Sequence, residues 1–443
     1  MTGGRSASLR AGVIGLSLLL AFGACGRSTQ GRDASSASVD AETAAQLSSL
    51  GYVEWVKGAD DLSRVGVVKH DPRAVAGLTL YKSRPAPAAQ LIDLDGKVVH
   101  TWNEPRLEIT DWKSLLAFFY QRGGPVCWDQ IELLPDGSLL AIVKYRHLEK
   151  VDWHSKLLWR TPVPAHHDLD VAPDGRILTL TQRMGKLQTA DGPVAIVDNG
   201  IAILSPDGEL LREISLASLL GDRVPRKRVD AIRAAERRGK LSETAMLNLR
   251  DVFHSNAIEI LRRDVPSLGK AGQVLISVRE LNLLAVVDLE RREVVWEWGP
   301  GELQGQHHSS ILPNGHIALF DNGVSRGYSR IVEMDPATRQ VVWQYRASPP
   351  KAFFSKRRGG AQWLPGDHFL ITQSNRGRAF EIDREGHVLW DFLNPDIDPI
   401  EHQRGSIYRV ERILPDRLAS LPLGADPASE VAAEPEAQAS GVR

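Results

Sequence analysis

The 443-residue chain balances 54 Lys and Arg against 55 Asp and Glu, a formal charge of −1. This excludes an overall field that would draw it to nucleic acid or to anionic lipid. Its length admits one large domain or two ordinary ones, and 38 Gly with 25 Pro signal many turns in an otherwise ordinary globular composition.

In chain order, Arg5 and Arg10 precede the apolar run 11–22, which ends in Gly23-Ala24-Cys25-Gly26. A positive start, a short apolar stretch and small residues before a cysteine make a targeting segment, too short to serve comfortably as a mature membrane span. It resembles a bacterial lipoprotein signal over residues 1–25, in which Cys25 becomes the acylated first residue of the mature chain. Ordinary cleavage and an uncleaved anchor are the alternatives. The expected location is the periplasm or cell envelope, with the protein held to a membrane through the lipid. Residues 26–50, rich in Ser, Ala and Asp, read as a flexible tether. Cys127, beside Trp128, reads as a buried small hydrophobe rather than a nucleophile.

After Ala76 two phrases alternate. One is a short apolar strand, a Pro-Asp/Asn-Gly turn and a second strand: LLPDGSLLAIV at 133–143, VAPDGRILTL at 171–180, ILPNGHIALF at 311–320, and a looser copy at 363–372. The other has an Asp-containing turn and mostly ends in an aromatic, as in LIDLDGKVVHTW at 91–102 and VVDLERREVVWEW at 286–298. Asn-Gly and Asp-Gly accept the left-handed dihedrals of tight hairpins. Trp296, Trp343 and Trp390 stand 47 residues apart, and Trp102 and Trp159 are read as occupying the same place in earlier copies. That period predicts an all-β fold, a β-propeller of about six four-stranded blades over 51–416, with the tryptophans as inter-blade packing. Residues 407–414 are expected to close the ring against the N-terminal blade. Residues 215–251, with nine Lys/Arg against five Asp/Glu, predict short helices divided at Gly221, Pro225 and Gly239. Residues 417–443 predict a disordered tail.

Five of thirteen histidines lie in three phrases at blade starts: His166-His167-Asp168, His254-Ser255-Asn256 and Gln306-His307-His308. In a propeller the innermost strands line the central channel, so these phrases should converge. Arg279, in an apolar strand, suits a bidentate oxyanion. Asp321-Asn322-Gly323, Arg326 and Arg330 read as turn formers, and Arg376 and Arg378 as channel residues or partners of carboxylates between blades. His70, His100, His147, His154, His316, His368, His387 and His402 read as ordinary solvated residues. Walker, GxGxxG, CxxC, HExxH and GxSxG patterns are absent, which weighs against nucleotide chemistry and common serine hydrolases. The histidines could bind a metal for hydrolysis, or one could act as nucleophile while another moves the proton. They could also merely line a wet channel in a binding propeller.

The order DVFHSNAIEI, ISVRELN, WEWG and QHHSSILPNGHIALFDNG resembles the bacterial arylsulfotransferase family of β-propeller enzymes, from about Gly77 to Pro395. The resemblance implies transfer of a sulfuryl group from an aryl sulfate to a phenol through a histidine, with no cofactor and no nucleotide sulfate. It implies His307 as nucleophile, with His308 as its rival by one position. It further implies His254 and Asn256 as sulfuryl-binding or proton-moving residues, Arg279 as a sulfate clamp, and His167 or His166 completing the site. No metal is implied. An inactive or binding-type propeller, or a metal-assisted hydrolase using the same histidines, remains the alternative.

Overall fold

The computed structural model describes residues 55–56, 61–83, 88–104, 128–398 and 402–423. Cys25, Cys127, the leader, the tether and residues 424–443 lie outside them.

Six antiparallel sheets form the blades of a β-propeller. Blade 2 runs Trp128–Leu133, Leu139–Val143, His147–Val151 and Leu157–Thr161; blade 3 runs Ala165–Val171, Ile177–Leu187, Val194–Leu204 and Leu210–Ser215. Blade 4 comprises Ser255–Ile260, Val274–Val278, Leu283–Asp288 and Glu293–Trp298, and blade 5 comprises His307–Ile311, Ile317–Asp321, Arg330–Asp335 and Gln340–Tyr345. Blade 6 comprises Gly360–Leu364, His368–Gln373, Arg378–Ile382 and Val388–Leu393. The inner hairpins of blades 2, 3 and 5 turn where the Asp/Asn-Gly phrases predict, with Gly137, Gly175 and Gly315 at φ of 79°, 85° and 88°.

Both chain ends close the ring. Ile407–Ile413 pairs with Leu78–Ser83 and becomes the innermost strand of blade 1, whose other strands are Ala88–Ile92 and Val98–Asn103. Gly66–His70 pairs with Val388–Leu393 as a fifth, outermost strand of blade 6. The chain stays ordered beyond the expected boundary at 416. Pro415–Leu418 is helical, Arg417 donates to the carbonyl of Leu133 at 2.7 Å, and Leu421 is buried with Leu133, Leu139 and Ile413. Residues 417–423, expected in the tail, thus pack on the fold, where Leu418 and Leu421 find a core to cover.

The periodic tryptophans are inter-blade fasteners. Indole N–H groups of Trp296, Trp343 and Trp390 donate to backbone carbonyls of Pro336, Arg384 and Leu94, each in an outer turn of the following blade. Register corrects one assignment. His100, not Trp102, occupies this place in blade 1, stacked on Trp153 with a ring nitrogen 2.9 Å from the Trp153 carbonyl. In blade 3 Arg212 holds the place and donates to Leu289 O.

A second set of links runs around the axis. The innermost strand of a blade has a free edge whose N–H groups need acceptors. Side chains of the preceding blade supply them. Asp168 and Asp170 accept from Ile258 and Ile260 N–H, Glu259 from Ile311, His308 Nδ1 from Ala361 and Gln362 from Arg412, at 2.7–3.1 Å.

The helical segment lies between blades 3 and 4 as Leu216–Leu220, Arg226–Arg238 and Glu243–Arg250. Ser215 and Ser242 cap two of the helices, and Gly239 ends the middle one at φ 60°. Val229 and Ile232 are buried against the cores of the flanking blades. No helix among the described residues is long and apolar enough to cross a membrane.

Candidate active site

The three histidine phrases converge because each begins an innermost strand. All three strands open with a register shift, between Ala165 and Leu169, Ser255 and Ala257, and His307 and Ser310. Beside these bulges His167, His254 and His308 adopt φ of 64°, 47° and 42°. Left-handed backbone at three non-glycine residues is strained, and bulges re-aim side chains. Here they turn imidazoles into the channel mouth.

His167, His254, His307 and Arg279 line one cavity of about 760 Å³, together with Tyr145 and Arg358. The rings of His167 and His254 are 4.9 Å apart, as are those of His166 and His167. His166 stands behind the wall. Its Nε2 lies 3.0 Å from the Thr181 carbonyl, so it carries the proton there and its Nδ1 accepts from His167 Nδ1 at 2.8 Å. His167 therefore presents a bare Nε2.

The other two histidines are wired alike. His254 Nδ1 meets Asp251 Oδ2 at 2.5 Å, and Asp251 also accepts the His254 backbone N–H. Burial alone would raise the Asp251 carboxyl, but the charge and hydrogen bonds of His254 hold it below its usual range. His307 Nδ1 lies 2.7 Å from Asn322 Oδ1 and 3.1 Å from the Gly305 carbonyl, while its Nε2 accepts from the backbone N–H of Arg358 at 3.2 Å. Burial, then the charge of Arg279, pushes His307 down to about 3, against the Asn322 and Gly305 bonds that would raise it. Its imidazole is thus neutral near pH 7 with Nε2 as the lone-pair nitrogen. Burial likewise lowers His166 to about 3 and His167 well below the usual value.

Arg279 opens a short turn after Val274–Val278, paired with Glu280. The Arg358 guanidinium is buried 5.8 Å from the Tyr408 ring, and burial lowers it to about 10, still a cation at neutral pH.

Two expected substrate-binding residues stand elsewhere. His308 lines a separate channel cavity of about 280 Å³ with Glu132, Asp170, Glu259 and Glu411, and its Nδ1 holds Ala361 N–H. Asn256, fully buried, gives its amide to the Gln306 carbonyl at 2.8 Å and is not in the wall of the larger cavity. Both join blades: His308 holds Ala361 of blade 6, and Asn256 of blade 4 holds Gln306 at the start of blade 5. Arg326 and Arg330 bind Asp321 at 3.0 and 2.8 Å, and Arg378 binds Asp391 within blade 6. His147, His316 and His368, expected to be solvated, pair with buried Glu149, Glu333 and Glu381. Sequence reasoning missed Asp251 and Arg358, and read Asn322 as a turn former. The one available signal was Asp251, three residues before His254.

Metal ligation by the channel histidines does not fit their spacing. Among the described residues, the one set of three His, Cys, Asp or Glu donors within 4.8 Å of one another is Asp383, Glu385 and His387, on an outer turn of blade 6.

Several solved structures align with the chain at low identity. They include a protein of unknown function from Bacteroides caccae (13% identity, TM-score 0.47, covering 76% of this chain and 98% of that one). A streptogramin B lyase aligns at 10% identity and TM-score 0.43 over 81% and 97% of the two chains. A catalytically inactive virginiamycin B lyase from Staphylococcus aureus aligns at 11% and 0.41 over 74% and 88%. At these TM-scores the likenesses carry no argument about activity. No match is found among curated proteins. Residues 130–394, more than half of the chain, match the sequence profile described as Arylsulfotransferase (ASST), and span blades 2 to 6 with every histidine of the cavity. The chain belongs to the arylsulfotransferase family.

Proposed function

We propose that the chain moves a sulfuryl group from an aryl sulfate to a phenol through a covalent intermediate on His307, with no nucleotide sulfate donor. The observation that carries this reading is the single cavity lined by His167, His254, His307 and Arg279, each histidine held from behind at Nδ1. In the first half-reaction Nε2 of His307 gives up the 3.2 Å bond from the Arg358 backbone N–H and attacks sulfur. The N–S bond forms as the bond from sulfur to the aryl oxygen breaks. That oxygen takes a proton from Nε2 of His254, whose imidazolium is balanced by Asp251. In the second half-reaction the acceptor oxygen attacks sulfur and returns a proton to His254. The N–S bond breaks, restoring neutral His307. Arg279 balances charge on the sulfuryl oxygens, and the bare Nε2 of His167 accepts from the hydroxyl of the first phenol once it has been protonated and leaves.

The test is transfer from 4-nitrophenyl sulfate to added phenol without metal, with ping-pong kinetics and a sulfated peptide containing His307. His307→Ala should abolish both. Wild-type-like turnover in that variant removes His307 as nucleophile, and no transfer by the wild type over a broad aryl sulfate panel removes the reading.

We also propose export and lipid anchoring through Cys25, on the leader alone. Mass analysis of the mature N-terminus tests this. An unmodified Cys25, or a chain retaining residues 1–24, refutes it.

A further inference from the structure

The amide of Asn322 has only one orientation that its neighbours allow. Nδ2 lies 2.7 Å from the Ser355 carbonyl and 2.6 Å from the Arg358 carbonyl, so it must be the donor. A flipped amide would set an oxygen against two carbonyl oxygens. Oδ1 is therefore the atom 2.7 Å from His307 Nδ1, and the imidazole must carry its proton there. The residue is fully buried at the end of Ile317–Asp321. It thus holds two things at once: the ring of His307, and the 355–358 segment whose last residue sends its N–H to His307 Nε2 and its guanidinium to the cavity. That segment is further tied by Ser355, which exchanges bonds with Ser329, Asn375 and Arg357. It ends at Gly359, at φ 114°, where a Cβ would meet the Phe320 ring at 2.8 Å.

We propose that Asn322 is the positioning residue of the nucleophile. It fixes His307 as the Nδ1–H tautomer, leaves Nε2 to face the cavity, and sets Arg358 relative to that nitrogen. The inference rests on the sulfuryl-transfer reading for its kinetic consequence, but not for the tautomer itself. A neutral amide suits the role better than a carboxylate. It accepts the Nδ1 proton without adding an anion that would favour the imidazolium, and only an uncharged Nε2 can attack sulfur. Around the buried ring, the charged and titratable groups it senses are Arg279, His254, His167 and the adjacent His308, with Arg358 in the same wall.

Two measurements test it. The first is ¹⁵N NMR of histidine-labelled protein, with the His307 signals identified by their loss in His307→Gln. The wild type should show a protonated Nδ1 and an unprotonated Nε2 at pH 7; Asn322→Ala leaves only the longer 3.1 Å contact to the Gly305 carbonyl at Nδ1 and frees the Arg358 carbonyl, and should show a mixture of tautomers. A wild-type Nε2–H tautomer overturns the proposal whether or not aryl sulfates are turned over. The second is the pH dependence of kcat/KM with 4-nitrophenyl sulfate. Asn322→Asp places a carboxylate at Nδ1, and should move the acid limb upward by about one unit or more. Asn322→Ala should lower kcat about 10²-fold with KM little changed. A purely architectural role would lower activity in both variants without changing the shape of the profile, and that result overturns the proposal. No wild-type turnover of any aryl sulfate would instead remove the reading of the reaction and leave the NMR result to decide on Asn322.

Discussion

The inner ring of carboxylates yields a quantitative test of how the channel is held. Glu259 faces the smaller cavity and accepts the Ile311 N–H at 2.9 Å. Burial first, then the nearby charge of Asp170, raises its carboxyl from 4.5 to about 8. A carboxyl raised on folding keeps a proton between those two values that the unfolded chain has lost. Its contribution to stability is therefore full below pH 4.5 and lost as pH rises through 8. Evaluated for this shift, the loss between pH 6 and pH 9 is roughly 2–3 kcal/mol. That is an upper value, because water in the cavity screens the charge. Glu259→Gln keeps the acceptor for Ile311 and removes the titration. Urea unfolding of both proteins from pH 6 to pH 9 measures the difference, in which all other groups cancel. The variant should gain on the wild type by up to that amount as pH rises. A constant difference across the range would refute the assignment of Glu259 as a protonated link between blades 4 and 5.

Three further outcomes follow from the same geometry. Asp251→Asn can turn an amide N–H toward His254 and spoil its tautomer, so kcat should fall by about 10²–10⁴-fold while the fold survives; a loss under threefold would detach Asp251 from the chemistry. His308→Gln should leave aryl sulfate turnover within a few-fold of wild type while lowering the unfolding free energy from urea titration by about 1 kcal/mol, whereas a hundredfold loss of turnover at unchanged stability would return His308 to the site. A chain ending before Ile407 leaves Leu78–Ser83 as an open edge and should lose its cooperative unfolding transition; a sharp transition at the full-length midpoint would contradict ring closure by that strand.

Much of this molecule was readable as spacing. The hairpin phrases turn at Asp/Asn-Gly because few other residues accept those dihedrals, and the 47-residue tryptophan interval repeats because every blade must fasten to the next. The closing strand and the convergence of the three histidine phrases follow from that period, and the helical segment was legible as the stretch that breaks it.

Which histidines serve was decided by tertiary structure. Adjacent residues on a strand face opposite ways, and each bulge shifts that alternation by one. His307 thus turns to the cavity while His308 joins blades 5 and 6, and His167 faces it while His166 stands behind. Asn256 shares a phrase with His254, but its Nδ2 donates to the Gln306 carbonyl, at the start of the next blade. Asn322 and Arg358 gain their roles only from partners distant in sequence, whereas Asp251 is local to His254. The sequence by itself determined the ring and the set of imidazoles near its axis, because both are periodic. Only the packed blades decided which nitrogen is bare and what stands behind it, because that depends on bulge register and inter-blade hydrogen bonds that no local pattern encodes.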